Sequence, residues 1–428
     1  MRALSAAEVA AAAGAELVRG DAAGGPEQAV IDSRAAGPGD LFVGLVGERA
    51  DGGAYAAAAL EAGAWGALVT PEHAAGLTAG IVLAAPDPLA ALQSLARAWR
   101  HRLGAQVVGI TGSVGKTSTK DLLRALVAPQ RRVHASRANF NTEIGLPLEL
   151  LRAPDDSEVL VLEMGMRGPG QIAELAAIAE PDVGVITSIG PVHLELLGTI
   201  EAIAATKAEL LAGVRVAVVP AGEPLLEPHL GRAGSVVRFG PGADVGEEAL
   251  EGLDLPFTSA HMRRNAMAAV AAARAVGVEP AGRVDIELSA SRGQRVEAAG
   301  GVVVVDDCYN ANPLSMRAAL DDLAAQSPPG RRIAVLGDML ELGPDERRLH
   351  REVGAHAAAS GVDVLVTVGG LAREMGPAFD GPVVAVPDAA AAADAVRELV
   401  RPGDLVLVKA SRGVALEAVT GALVGEVA

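Results

Sequence analysis

Gln106-Val107-Val108-Gly109-Ile110-Thr111-Gly112-Ser113-Val114-Gly115-Lys116-Thr117-Ser118-Thr119 is the stretch on which the fold turns. Its first five residues form an apolar run of strand length. A glycine-rich segment follows, and a helical pattern starts near Lys116. Strand, glycine loop and helix in that order are the setting of a phosphate-binding loop. Glycines let the backbone curl so that its N–H groups face a phosphate chain, and the helix N-terminus adds a favourable dipole. Lys116 is placed to reach β- and γ-phosphates, and Thr117 offers a hydroxyl to Mg²⁺. Thr111, Gly112, Ser113, Val114, Gly115, Lys116, Thr117 and Ser118 are the candidate nucleotide contacts. The usual spacing is G-x-x-x-x-G-K-S/T, and Ile110 stands where the first glycine belongs. The bland alternative is a glycine-rich turn carrying a solvent-exposed lysine.

Outward from this loop the same rhythm repeats. Apolar runs at 159–162, 183–186 and 216–219 alternate with helical patterns. Continuous apolar strands of this kind indicate a parallel sheet covered on both faces. Strands expected at 302–305, 333–336, 364–368, 383–386 and 405–408 form a second doubly wound α/β unit. Upstream, a strand at 40–45, a helix at 54–62 and a strand at 67–69 suggest a small α/β module. Pro86-Asp87-Pro88 then interrupts regular structure. The expected fold is α/β with three domains: 1–85, a central P-loop domain at 86–296, and a C-terminal Rossmann-like domain at 297–428.

Composition narrows the function classes. A chain of 428 residues exceeds one ordinary core. Half the residues are apolar but only 2% are aromatic, so the cores must be aliphatic. A formal charge of −17 disfavours nonspecific binding to nucleic acid or anionic membrane. One cysteine, Cys308, leaves no intrachain disulfide and argues against a cysteine-based zinc site. It reads as a small buried thiol and not as a nucleophile. The N-terminus lacks a secretory pattern, and no long uncharged apolar run is present. A cytoplasmic monomer without membrane insertion is expected.

Two further residues sit at the ends of apolar runs, where ligands of open α/β sheets bind. Glu163 closes Val159-Leu160-Val161-Leu162, and His193 follows the run that ends near Thr187. Glu163 could equally be a salt-bridged carboxylate, and a lone histidine is often structural. Lys207 lies in a helical pattern and reads by itself as a solvated helix lysine.

The string TGSVGKTS resembles the P-loop of the Mur ligase family, which also includes folylpolyglutamate synthases. The family signatures continue along nearly the whole chain. Asp306-Asp307-Cys308-Tyr309-Asn310-Ala311-Asn312-Pro313 resembles D-D-x-Y-N-A-N-P, the signature of members that add D-alanyl-D-alanine. Members that form the tripeptide show D-Y-A-H-x-P at this place. Residues 336–343 match G-D-M-x-E-L-G, and 408–413 resemble V-K-G-S-R with Ala410 for glycine. Asp32-Ser33-Arg34 and 47–52 resemble elements of a UDP-sugar-binding domain, with Gly53 in place of a usual histidine.

The resemblance implies amide formation in two steps. ATP phosphorylates the carboxylate of a UDP-N-acetylmuramoyl-tripeptide, and D-alanyl-D-alanine then displaces phosphate. It implies ATP and Mg²⁺ as cofactors, with Thr117, Glu163 and His193 as metal ligands. Lys116, His193 and Lys207 are the implied catalytic residues, Lys207 through a carbamate that a neutral amine would form. Asn265, Arg295, Asp307 and Asn310 are implied on the nucleotide. Asp32, Ser33, Arg34, Asn139, Asn141, Lys409 and Ser411 are implied on the other substrates. Met262 replaces an asparagine of the family pattern around His261. Other family members' reactions, and a P-loop switch without ligase chemistry, are the alternative readings.

Overall fold

The computed structural model describes residues 1–425 apart from 138, 288 and 290. The last three residues of the expected 297–428 segment, and 138, 288 and 290 of the central one, lie outside the described residues.

The run at 106–111 forms the strand Gln106–Thr111, buried along almost its whole length. It lies inside a six-stranded parallel sheet. Val159–Glu163 pairs on one side of it and Val183–Ile186 on the other. The chain fills one side of this sheet first and then crosses to the other. The strand order therefore reverses beside Gln106–Thr111, and a crevice opens at the strand ends there. Glu163 and Thr111 are the last residues of adjacent strands, so strand register alone brings metal-type and phosphate-type groups together.

The C-terminal sheet also has six strands, in the order Gln294–Ala298, Val302–Asp306, Leu405–Lys409, Arg332–Gly337, Val364–Val368 and Val383–Val386. All but the first pair in parallel. Gln294–Ala298 runs antiparallel at the edge and spans position 296/297, where the sequence suggested a boundary. The last strand in the chain inserts between the first two parallel strands, which puts three loops at one sheet end.

The N-terminal sheet of five short strands does not keep a core to itself. One continuous apolar cluster joins Leu41, Leu68 and Leu83 of that sheet to Leu160 and Leu162 of the central sheet. The helix Pro88–Leu103 is the bridge, through buried Leu92, Leu95 and Trp99. Pro86-Asp87-Pro88 does not act only as a break. Asp87 caps this helix by accepting from the Leu89 and Ala90 N–H groups at 2.9 and 3.1 Å. Pro88 occupies the first turn, where its missing N–H costs nothing. Among the described residues, no helix is long and apolar enough to cross a membrane.

Candidate active site

The helix after the phosphate loop, Lys116–Val127, begins at Gly115 with no side-chain cap. Its first N–H groups are thus left for an external acceptor. The loop is gripped from behind by the segment after Val183–Ile186. Thr187 Oγ1 donates to the Val114 carbonyl at 2.6 Å, and Ser188 Oγ accepts from Val114 N–H at 2.9 Å. Ser113 Oγ donates to the Gly190 carbonyl at 3.0 Å. Gly112 and Gly115 have φ of +151° and +87°. A Cβ at Gly115 would sit 2.4 Å from Asn265 Oδ1, so the glycine is demanded by close packing as well as by backbone conformation.

Thr117 and Glu163 meet as register requires. Thr117 Oγ1 donates to Glu163 Oε2 at 2.7 Å, and Asn141 Nδ2 donates to Glu163 Oε1 at 2.9 Å. Glu163 is nearly inaccessible. This all-oxygen donor set suits Mg²⁺, which takes few protein ligands and completes its shell with phosphate and water. His193 does not join that pair. Its Nδ1 is bound to Glu341 of the C-terminal sheet. Among the described residues, no group of three or more His, Cys, Asp or Glu stands at metal-holding spacing.

Lys116, Lys207 and Arg292 converge on the loop. Lys116 Nζ folds back to donate to the Gly112 carbonyl at 2.8 Å. Burial lowers its pKa, Glu163 raises it, and nearby Arg292 lowers it further. Lys207 is buried, and no hydrogen bond or ion pair among the described residues engages its ammonium. Burial first, and then the charge of Lys116, push its pKa well below the usual lysine value. It is not the solvated helix lysine that its local sequence suggests. His193 is likewise held down by burial, against the pull of Glu341, with Lys207 and Lys116 adding to the effect. Basic groups crowded together in this way are better matched in charge when a polyanion arrives.

A cleft of about 1490 Å³ runs between the central and C-terminal sheets and gathers most of the candidates. Lys116, Glu163, His193, Lys207, Asn139, Asn141 and Asn265 line it from the central side. Asp307, Asn310, Lys409, Ser411 and Arg295 line it from the other. Asn265 reaches it because the helix Ala260–Ala275 packs beside Lys116–Val127. Met262, on the same helix, is buried and meets Asn265 Nδ2 through Sδ at 3.9 Å. Lys409 Nζ binds Asp307 Oδ2 at 2.5 Å and the Asn310 carbonyl at 3.1 Å, fixing the loop that carries both. Ser411 Oγ accepts from Leu340 N–H at 2.9 Å and donates to the Ala311 carbonyl at 3.3 Å.

Asp32, Ser33 and Arg34 lie elsewhere, on a short turn after the N-terminal strand Gln28–Val30, outside the cleft. Asp32 caps a short turn and takes a two-pronged grip from Arg34 Nε and Nη2, at 2.9 and 2.7 Å. That grip and the Arg34 backbone N–H hold the Asp32 carboxyl down to about 2.

Four cleft residues escaped the sequence reading. Arg292 lies 3.8 Å over the Tyr309 ring, with Nε buried and unpartnered, in electrostatic reach of Lys116. Arg295 is exposed and bound to Gln326. The alternation of the edge strand leaves Arg295 exposed at the cleft's rim beside Gln326, and its partner strand had to be known before that could be read. Asn312 caps the helix Pro313–Ala324 and reaches the Ser113 carbonyl at 3.5 Å, so the two walls touch at the phosphate loop itself. Glu341 and Arg167 pair across the cleft at 2.9 Å. An N-P start to a helical pattern was the available signal for Asn312. Glu341 lay inside the 336–343 signature without a role attached to it, and Arg167, 174 positions away, carried no signal.

Known proteins resemble this chain over most of its length. The Mur ligase middle domain matches residues 110–273, and the Mur ligase glutamate ligase domain matches residues 291–412. The UDP-N-acetylmuramoyl-tripeptide–D-alanyl-D-alanine ligase of Bacillus subtilis is 36% identical, covering 96% of this chain and 97% of that one. Its Synechocystis counterpart is 38% identical over 92% and 91%. The crystal structure of MurF from Acinetobacter baumannii superposes with a TM-score of 0.86 over 99% of both chains, at 27% identity. MurF ligase from Thermotoga maritima in complex with ADP gives 0.79 at 29% identity, over 92% of this chain and 96% of that one.

Proposed function

The chain belongs to the Mur ligase family, and from that premise we propose how it works. It is an ATP-dependent amide-forming ligase that joins D-alanyl-D-alanine to UDP-N-acetylmuramoyl-tripeptide, a step of peptidoglycan precursor synthesis. The observation that carries the reading is the convergence of Lys116, Lys207 and Arg292 on one uncapped helix N-terminus, with Glu163 beside them. Such a site is built for a triphosphate.

A carboxylate is a poor electrophile. Transfer of the γ-phosphoryl group to the tripeptide's terminal carboxylate gives an acyl phosphate and ADP. The D-alanyl-D-alanine amine then attacks the acyl carbon, the C–O bond breaks, and phosphate leaves with the electron pair. Lys116 swings from the Gly112 carbonyl to the transferring phosphate and neutralises charge in flight. The N–H groups at the helix start hold the phosphate chain in line. Thr117 and Glu163 would hold a magnesium ion, which neutralises phosphate charge when bound. Asn141 keeps Glu163 aimed. Lys207, whose pKa is lowered by burial, is fit to carry a carbamate. Closure of the C-terminal wall excludes water that would hydrolyse the acyl phosphate. The enzyme works in the cytoplasm.

The test is phosphate release from ATP and Mg²⁺ with UDP-muramoyl-tripeptide, with and without D-alanyl-D-alanine. Release that needs both, with a pentapeptide product by mass, is expected. Release only with another amine would move the step within the family. No release with any pair would sink the ligase reading.

A further inference from the structure

Glu341 bridges the two walls of the cleft at His193, and the ligase chemistry above leaves it without a role. It belongs to the loop after Arg332–Gly337, and its carboxylate spans to the central wall. One oxygen binds His193 Nδ1, and the other accepts from Arg167 Nη2 at 2.9 Å. Its carbonyl accepts from Glu195 N–H at 3.3 Å. Leu194, next to His193, packs into the apolar core of the C-terminal sheet. One contact therefore combines a charged bridge, a backbone bond and an apolar plug.

Both partners sit in the left-handed backbone region, His193 at φ +54° and Glu341 at φ +61°. Side chains adopt that region reluctantly, and it persists where the surroundings over-determine it. Here they do. The Asp338 carboxylate accepts from Leu371 and Ala372 N–H groups at 2.9 and 2.6 Å. His350 Nε2 accepts from Met339 N–H at 3.0 Å, and Ser411 Oγ accepts from Leu340 N–H. The three residues before Glu341 are each pinned, so its carboxylate is delivered at a set position.

A carboxylate that accepts from Nδ1–H fixes one tautomer and leaves Nε2 as the free acceptor of the ring. His193 stands in electrostatic reach of Lys116 and Lys207, at the phosphate end of the cleft. We propose that Glu341 is a positioning residue of the ligase reaction: by gripping His193 Nδ1 and Arg167 from the opposite wall, it makes the working orientation of His193 conditional on closure. This rests on the ligase reading above. The two walls then report to each other through a single carboxylate. An open cleft leaves His193 free to rotate, and ATP is not committed before the C-terminal wall has arrived.

The experiment compares the full-length protein with its Glu341→Ala and Glu341→Gln variants. Kinetics and the ¹⁵N signals of the histidine rings are recorded with ADP and magnesium, and His193→Gln identifies the signal. In Glu341→Ala, kcat falls about 10- to 100-fold while KM for ATP stays within about threefold. The His193 ring shifts from the Nδ1–H tautomer to a mixture. Glu341→Gln, whose amide oxygen still accepts from Nδ1, recovers most of kcat and the tautomer. Unchanged kcat with an unchanged ring signal overturns the proposal, as does a loss confined to KM or melting temperature. If Glu341→Ala does not fold, the isosteric Glu341→Gln decides alone, against Glu341→Asp, whose shorter reach should lose the grip. Wild type that makes no pentapeptide would sink the ligase reading, and the ring signals would still decide whether Glu341 sets the His193 tautomer.

Discussion

On the central wall of the cleft, consecutive residues 111–118 supply the phosphate loop, and strand register sets Glu163 beside it. On the C-terminal wall, three loops do comparable work, and the residues that tie them together lie far apart in the chain. Lys409 grips Asp307 from 102 positions away, and Ser411 joins Leu340 to Ala311. The phosphate loop of the first wall is shaped within one stretch of chain and braced from Thr187 and Ser188, whereas the second wall is made by assembly. The difference suggests a division of labour. A preformed loop can bind nucleotide alone, whereas a wall held by long-range bonds can arrive late and gate the chemistry.

If that division is right, damage to the first wall removes charge stabilisation outright. Lys116→Ala should lower kcat for phosphate release by about 10³-fold, the upper range for removing one charge-stabilising donor. A loss below tenfold would break the comparison. Glu163→Gln should cost about 10²-fold in kcat. It should also raise the magnesium concentration needed for half-maximal rate, measured by titrating the metal at saturating ATP.

The arginines sharpen the boundary between the walls. Arg292→Ala removes a cation that feels Lys116 and should cost about tenfold in kcat/KM for ATP, in the range of one charge-assisted hydrogen bond. Arg295→Ala, which touches Gln326 at the surface, should cost less than about threefold. The reverse order would return the phosphate role to Arg295.

The smallest effect concerns stability of the assembled wall. His350 is buried, its Nδ1 bonds the Glu346 carbonyl at 2.6 Å, and its Nε2 accepts from Met339 N–H. Burial lowers its pKa, outweighing the pull of neighbouring carboxylates and the Glu346 carbonyl. The folded protein thus binds this proton less readily than the unfolded chain. The stabilising contribution is complete above the ordinary imidazole value of about 6.5 and is lost as pH falls below it. Protonation also removes the acceptor for Met339 N–H, worth about 1 kcal/mol. Thermal melts from pH 7.5 to 5.5 should therefore fall less steeply for His350→Gln than for wild type.

Strands at 302–306, 332–337, 364–368, 383–386 and 405–409 were legible to within a residue or so, because each is a nearly unbroken run of β-branched and aliphatic residues, even the exposed edge strand at 383–386. The edge strand Gln294–Ala298 was not, since its alternating residues look like a linker until Val302–Asp306 pairs with it. Lys207 carried the opposite trap. Its helix looks solvated in sequence, and only the packed structure buries it beside Lys116.

The sequence by itself determined the strand–loop–helix that binds phosphate, because glycine conformation, helix polarity and strand burial are local properties written in neighbouring residues. It also carried the family signatures that point to the reaction. Only the tertiary structure decided which arginine faces the loop, that the N-terminal and central sheets share one core, and that Glu341 holds His193 from across the cleft. Those depend on distances between residues remote in the chain. Such distances follow from sheet register and domain docking, which no local pattern encodes.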